Sequence, residues 1–205
     1  MGAPDTRAQI VTAADRLFYE QGFEATSFAD IASAVKLSRG NFYYHFRTKD
    51  EILAAVIALR LATTQRMLED WEREDCEPAA RIRRFIHILI MNQAKIAAYG
   101  CPVGSLCNEL AKLDHIAKDD ARELFIVFRD WLTRQFAALV RAADAATLAM
   151  HLLMRSQGVA TLATAFKDNA FIRREVDDMC AWLESQDRQG ASPRPPLPSR
   201  RTSSS

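Results

Sequence analysis

The chain of 205 residues is short of glycine and proline, with seven of each. That excludes a collagen-like repeat or Gly-rich linkers and argues against a turn-heavy all-β fold. Cysteine is scarce too: Cys76, Cys101, Cys107 and Cys180 are too few and too scattered for a disulfide scaffold. The expected setting is reducing and cytoplasmic. Long apolar runs are missing. The longest stretch without Lys, Arg, Asp or Glu is Ile96 to Asn108, thirteen residues, against about 20 for a membrane helix, so no membrane partner is expected. The N-terminal MGAPDTRAQI lacks the apolar centre of a signal peptide, although Gly2 and Thr6 fit the loose myristoylation pattern. An excess of one charge is also missing, since 27 basic and 26 acidic residues leave +1. A globally basic nucleic-acid coat is therefore excluded, and any such site must come from local segregation of charge. GxSxG, HExxH, P-loop and dinucleotide fingerprints are absent, which weighs against an enzyme, and no cofactor is expected.

What is present is a core-forming composition, 49% apolar, and one concentrated patch of charge. Residues 1–35 carry two basic and five acidic side chains. Residues 36–49 carry Lys36, Arg39, Arg47, Lys49 and His45 with no acid. From Arg188 onward there are four Arg and no acid. A charge run is usually a solvated face, so the local structure around residues 36–49 decides what this one is.

Thr6 with Gln9 reads as a capping box opening a helix with Ile10, Ala13, Ala14, Leu17 and Phe18 at helical spacing, stopped at Gly22. Ser27 caps a short helix with Phe28, Ile31, Ala32 and Val35 on one face. After a tight turn at Lys36 and Leu37, Ser38 caps a third helix, Arg39 to His45. Thr48 with Glu51 opens a long helix toward Trp71. Two short helices joined by a tight turn and braced by a first helix are the helix-turn-helix plan. The basic cluster falls on its second member and the turn after it.

A recognition helix must be narrow, offer hydrogen-bonding side chains at its N-terminal end and be flanked by phosphate ligands. Arg39 can fork onto guanine O6 and N7, and Asn41 can pair with adenine. Gly40 lets the backbone come close to the groove. Tyr43, Tyr44 and His45 reach outward from the other end. Lys49 stands at the N-terminus of the next helix, which favours an anion. Phe42 and Phe46, at i and i+4, are core knobs.

The run FADIASAVKLSRGNFYYHFRTKDEIL, residues 28–53, resembles the DNA-binding domain of TetR/AcrR-family transcriptional repressors. The matching features are the small residue before the turn, Ser38, Gly40, the aromatic-Tyr-Tyr-His-Phe string and Lys49. The resemblance covers about residues 6–55. It implies that Arg39, Gly40, Asn41 and Tyr43 approach bases, and that Ser27, Tyr44, His45 and Lys49 hold the backbone of double-stranded operator DNA.

The rest of the chain also reads as helical, with stripes through Ile82, Phe85, Ile86, Leu89 and Ile96, then Leu106, Leu110 and Leu113 behind Pro102 at a first helical position. Long helices follow over residues 118–142, 144–166 and 171–183. The expectation is an all-α chain of about nine helices: a DNA-binding domain over residues 1–48, a bundle over 49–187 whose first helix is the connector, and a disordered tail over 188–205. The resemblance implies that the bundle binds a small-molecule effector and dimerises through its last two helices. On that reading the interface of a homodimer carries Leu148, Leu152, Arg155, Val159, Leu162, Ile172, Val176, Met179 and Leu183, the alternative being an intramolecular core face. Pocket candidates are Phe85, Leu89, Asn92, Tyr99, Phe125, Phe128, Trp131 and Met154, each of which could instead be core.

The segment YGCPVGSLCNEL, residues 99–110, resembles a Cys-Pro-x-Gly-x-Leu stretch of some such ligand domains. Cys101 and Cys107 are thiol-sensor candidates, and structural cysteine is the competing reading. Six positions along a continuous helix place them about 9 Å apart on the axis, beyond disulfide reach. With His115 they match no compact zinc pattern, so no metal is expected. The competing function is a helical enzyme or metal protein in which the basic stretch is incidental.

Overall fold

The structure, a computed structural model, describes residues 5–140 and 142–191, which hold ten helices and no strand. In chain order they are α1 (Thr6–Gln21), α2 (Phe28–Ala34), α3 (Arg39–His45), α4 (Lys49–Glu74), α5 (Pro78–Met91), α6 (Gln93–Tyr99), α7 (Pro102–Lys112), α8 (Lys118–Leu139), α9 (Ala142–Phe166) and α10 (Asn169–Ala191).

Side chains at the helix starts set the boundaries. Asp5, not Thr6, caps α1: its carboxylate accepts the Arg7 N–H at 3.0 Å. Ser27 and Asp30 form a reciprocal capping box on α2, and the Ser38 hydroxyl accepts from the Asn41 N–H to open α3. Thr48 accepts the Glu51 N–H at 3.1 Å at the start of α4, while the Glu51 carboxylate turns back to the Arg47 N–H at 2.8 Å. The apolar stripe from Ile82 to Ile96 spans two helices, which divide at Asn92. Its side-chain amide donates to the Ile88 carbonyl at 3.1 Å, a side-chain-to-backbone bond that competes with continuing the helix. At the far end α10 runs on to Ala191, so residues 188–191 are helical and not part of a tail. The remainder of the expected tail lies outside the described residues.

Two apolar cores result. The first joins α1 to α4 through Ile10, Phe18, Phe23, Ile31, Phe42, Phe46 and Ile52, and draws in Leu106 and Leu110 from α7. The second holds Leu68 and Trp71 of α4 with Ile82, Phe85, Trp131, Phe136, Leu152, Ile172, Val176 and their neighbours. Helix α4 is 26 residues long and serves both, with Ile52 to Ile57 in one and Leu68 with Trp71 in the other. Each fully buried Leu, Ile or Phe contributes about 1.5–3 kcal/mol. Truncating Leu110, which is 0% exposed and ties α7 to the first core, would therefore cost about 2–5 kcal/mol.

Helix α9 is apolar on both sides. Ala145, Ala149, Leu152, Val159 and Ala163 face the second core, whereas Met150, Met154, Leu162 and Phe166 are exposed. This corrects the expected pairing face. Leu152, Val159, Ile172, Val176, Met179 and Leu183 lie in the chain's own core, Leu148 packs partly against it, and Arg155 is held by Glu175 of α10 at 2.9 Å. Leu152, Val159, Ile172, Val176, Met179 and Leu183 are turned inward and offer no surface to a second copy, while Leu148 and Arg155 are half-buried. Of that set, Leu162 alone is exposed.

Candidate nucleic-acid interface

Helix α3 presents one face outward because its other face is anchored. Phe42 and Phe46 are each 1% exposed, and Phe42 meets Phe28 of α2 edge-on with centroids 4.7 Å apart. That leaves Ser38, Gly40, Asn41, Tyr43 and Tyr44 exposed, with Tyr44 at 84%. His45 is half-buried and stacks edge-on against Tyr44 at 5.2 Å. A Cβ added to Gly40 would meet nothing within 4 Å, so the backbone is open to close approach there. The side chain of Arg39 lies outside the described residues.

Two expected phosphate ligands are already engaged. The Ser27 hydroxyl donates to Asp30 at 2.6 Å, and that bond, with a second from the Ser27 N–H, holds the Asp30 carboxyl below its usual range. Lys49 Nζ donates to the carbonyls of Phe23 at 3.0 Å and Glu24 at 3.4 Å, and sits 4.2 Å from the Phe23 ring centroid. An ammonium has three N–H donors, and two of them are used here.

The same turn is gripped from the opposite side by α7. The Glu109 carboxylate accepts the N–H groups of Phe23 and Glu24, both at 2.9 Å, and stands 3.1 Å from where a Cβ of Gly22 would be. Gly22 has φ +96°, where a side chain would be strained. His115 packs edge-on against Phe23 at 5.1 Å. Tyr19 donates to the Gly100 carbonyl at 2.8 Å, and burial pushes its hydroxyl up to about 12. Arg60 of α4 bridges Asp15 at 2.5 Å and the Pro102 carbonyl at 2.6 Å. Nothing local in the sequence marks Glu109, Arg60 or Tyr19 for these contacts, and His115 is weighed there only as a metal ligand. Their partners lie far along the chain, 81 positions for Tyr19 and 86 for Glu109, and no local pattern marks such pairs.

The expected pocket residues divide. Phe85, Leu89, Phe125, Phe128 and Trp131 gather in the second core, Phe85 and Phe128 edge-on at 5.5 Å. Asn92 is exposed and caps α5; Tyr99 is half-exposed against Tyr19; Met154 is 60% exposed on the outer face of α9. Asn92 and Met154 are thus corrections to the pocket set: both side chains face away from that core. The cysteines are free thiols. The Cys101 sulfur accepts from the Gly104 N–H and the Gln157 amide, each at 3.5 Å. Cys107 donates to the Ala121 carbonyl at 3.2 Å, and burial pushes its thiol up to about 11. Among the described residues no group of three or more His, Cys, Asp or Glu could hold a metal ion, and no helix is long and apolar enough to cross a membrane.

The family model for bacterial regulatory proteins of the tetR family matches residues 10–56, from α1 into α4. An HTH-type transcriptional regulator in the lacX 3′ region of Lactococcus lactis subsp. lactis is 31% identical over 137 residues, 66% of this chain and 70% of that one. The regulator TtgR of Pseudomonas putida is 36% identical over 85 residues, 41% of this chain and 40% of its own length, so less than half of TtgR is matched. Among solved structures, a TetR transcriptional regulator from Legionella pneumophila superposes with TM-score 0.78 at 21% identity, over 90% of this chain and 98% of that one. Fold and matches together define a helix-turn-helix transcriptional regulator, not an enzyme. The chain belongs to the tetR family of bacterial regulatory proteins, which are DNA-binding.

Proposed function

We propose that this regulator is a cytoplasmic, homodimeric repressor that grips a palindromic operator through α3 and leaves it when a small-molecule effector binds within residues 49–187. Residues 1–48 are the DNA-binding unit on this reading, with α4 as connector. The observation that carries it is the two-sidedness of α3, with Phe42 and Phe46 buried and Asn41, Tyr43 and Tyr44 exposed beside an open Gly40. Arg39 and Asn41 read base edges, Gly40 and Tyr43 lie against the groove, and Ser27, Ser38, Tyr44, His45 and the third N–H of Lys49 hold the backbone.

Dimerisation is supported by α9, though through a different face from the one its sequence stripe implied. A helix apolar all round belongs in an interior, yet Met150, Met154, Leu162 and Phe166 are exposed, Phe166 at 74%. Gly158 lies on the exposed side with nothing within 4 Å of an added Cβ, leaving room for a second helix. A single recognition helix is a small reader, and two of them related by a twofold axis match a palindrome with half-sites about 34–36 Å apart.

Sedimentation of the Met154→Glu variant beside its duplex affinity tests this. The expected result is a folded monomer with sharply weakened DNA binding, because a charge in the centre of an apolar interface is left unpaired. A variant that stays dimeric at wild-type affinity would move the interface off α9.

A further inference from the structure

An indole N–H can only donate, and buried donors in native cores are nearly always paired. Trp131 is 1% exposed, and its Nε1 has no hydrogen-bond partner among the described residues. The ring stands edge-on to Trp71 of α4 with centroids 5.7 Å apart, inside the apolar cluster that also holds Phe85 and Phe128. Trp71 in turn lines an open groove of about 430 Å³ with Thr63, Arg66, Met67, Asp70, Glu74 and Arg84. That volume is within the range of small-molecule sites. So Trp71 touches both a ligand-sized groove and the ring that carries an orphan donor.

We propose that this groove is the mouth of a binding site for a flat, neutral aromatic molecule carrying an acceptor oxygen, to which Trp131 Nε1 donates once Trp71 gives way. The proposal rests on the effector-responsive reading and adds the chemistry of the effector. The surrounding indole and phenyl rings favour an aromatic guest through edge and offset contacts. Neutrality follows from the apolar cluster behind Trp71, where an ion would lose its hydration. In the groove Glu74 pairs with Arg84 at 2.6 Å, and Asp70 pairs with Arg73. The consequence for DNA runs through α4, which carries Trp71 toward one end and Lys49, with its grip on the Phe23 turn, at the other.

Calorimetric titration of the full chain with coumarin, a flat bicyclic lactone, and naphthalene, of similar size with no acceptor, tests the site. Wild type should prefer coumarin, and Trp131→Phe should weaken coumarin roughly tenfold, the equivalent of one hydrogen bond, while leaving naphthalene nearly unchanged. In wild-type protein the Trp131 Nε1–H resonance should move downfield with coumarin and not with naphthalene, a readout that survives a poorly folded variant. Absence of saturable coumarin binding, equal losses for both probes, or an unmoved resonance overturns the site. The last two are the results expected if the N–H merely faces the Trp71 ring. DNA release by another compound, indifferent to Trp131→Phe, overturns this site and leaves the effector-responsive reading intact. Coumarin bound in the expected way while DNA stays bound overturns release and keeps the site.

Discussion

The Glu109 carboxylate accepts the backbone N–H of Phe23 at 2.9 Å across 86 positions of sequence. The same carboxylate takes the Glu24 N–H, and Lys49 takes both carbonyls of that turn. Four main-chain groups between α1 and α2 are thereby fixed by two oppositely charged side chains from α7 and α4. The turn between α1 and α2 is thus held by α7 and α4.

Glu109→Ala should lower the free energy of unfolding by about 1–3 kcal/mol, since the buried Phe23 loses a charge-assisted acceptor. Urea denaturation measures it. A change below about 0.5 kcal/mol, the scale of an ordinary surface substitution, would show that the contact contributes nothing.

Arg39 and Asn41 should govern which sequence is bound, and Lys49 how tightly. Arg39→Ala should relax selectivity at one base pair for about 1–3 kcal/mol. Lys49→Ala should weaken all duplexes alike and reduce the salt slope by about one unit, and it should also destabilise the fold because the carbonyls of Phe23 and Glu24 lose their cation. Binding titrations at several salt concentrations separate the two, and reversed behaviour would refute the roles.

Alkaline pH should destabilise the protein through Cys107 and Tyr19. Both groups are neutral when protonated, and burial raises Cys107 from 9.0 to about 11 and Tyr19 from 10.0 to about 12. Their stabilising share is complete below pH 9.0 and is lost as pH climbs from there toward about 12, because the unfolded chain releases these protons first. Thermal melts across that window should show a falling midpoint, with a shallower fall in Cys107→Ala. An unchanged slope in that variant would contradict the burial of the thiol.

Replacing Cys101 and Cys107 together with Ser separates a cavity effector from a thiol sensor. The cavity reading expects the double variant to release DNA with the same inducer as wild type in a mobility-shift assay. A folded, DNA-bound double variant that no longer responds would transfer the sensing role to the thiols.

The N-terminal helices α1 to α4 were the more legible in sequence. Ser27 and Ser38 cap from within three residues, and Phe42 and Phe46 mark the inner face of α3 by spacing alone. Helix α9 was harder because both of its faces are apolar, and periodicity cannot say which side turns inward; Leu152 went in and Met154 stayed out. The break at Asn92 depends on a side-chain amide competing with the backbone, and the Glu109 grip joins segments that meet only once the chain is folded. Trp131 could be read as large and apolar, but the missing partner of its N–H exists only in the packed core.

The most direct test of the central claim is selection of duplex DNA from a random pool by the purified protein, followed by sequencing. The account predicts a palindrome with half-site centres about 34–36 Å apart along the helix axis, bound with a steep dependence on salt. Recovery of no common sequence, or of an asymmetric site bound by a single copy, would contradict it.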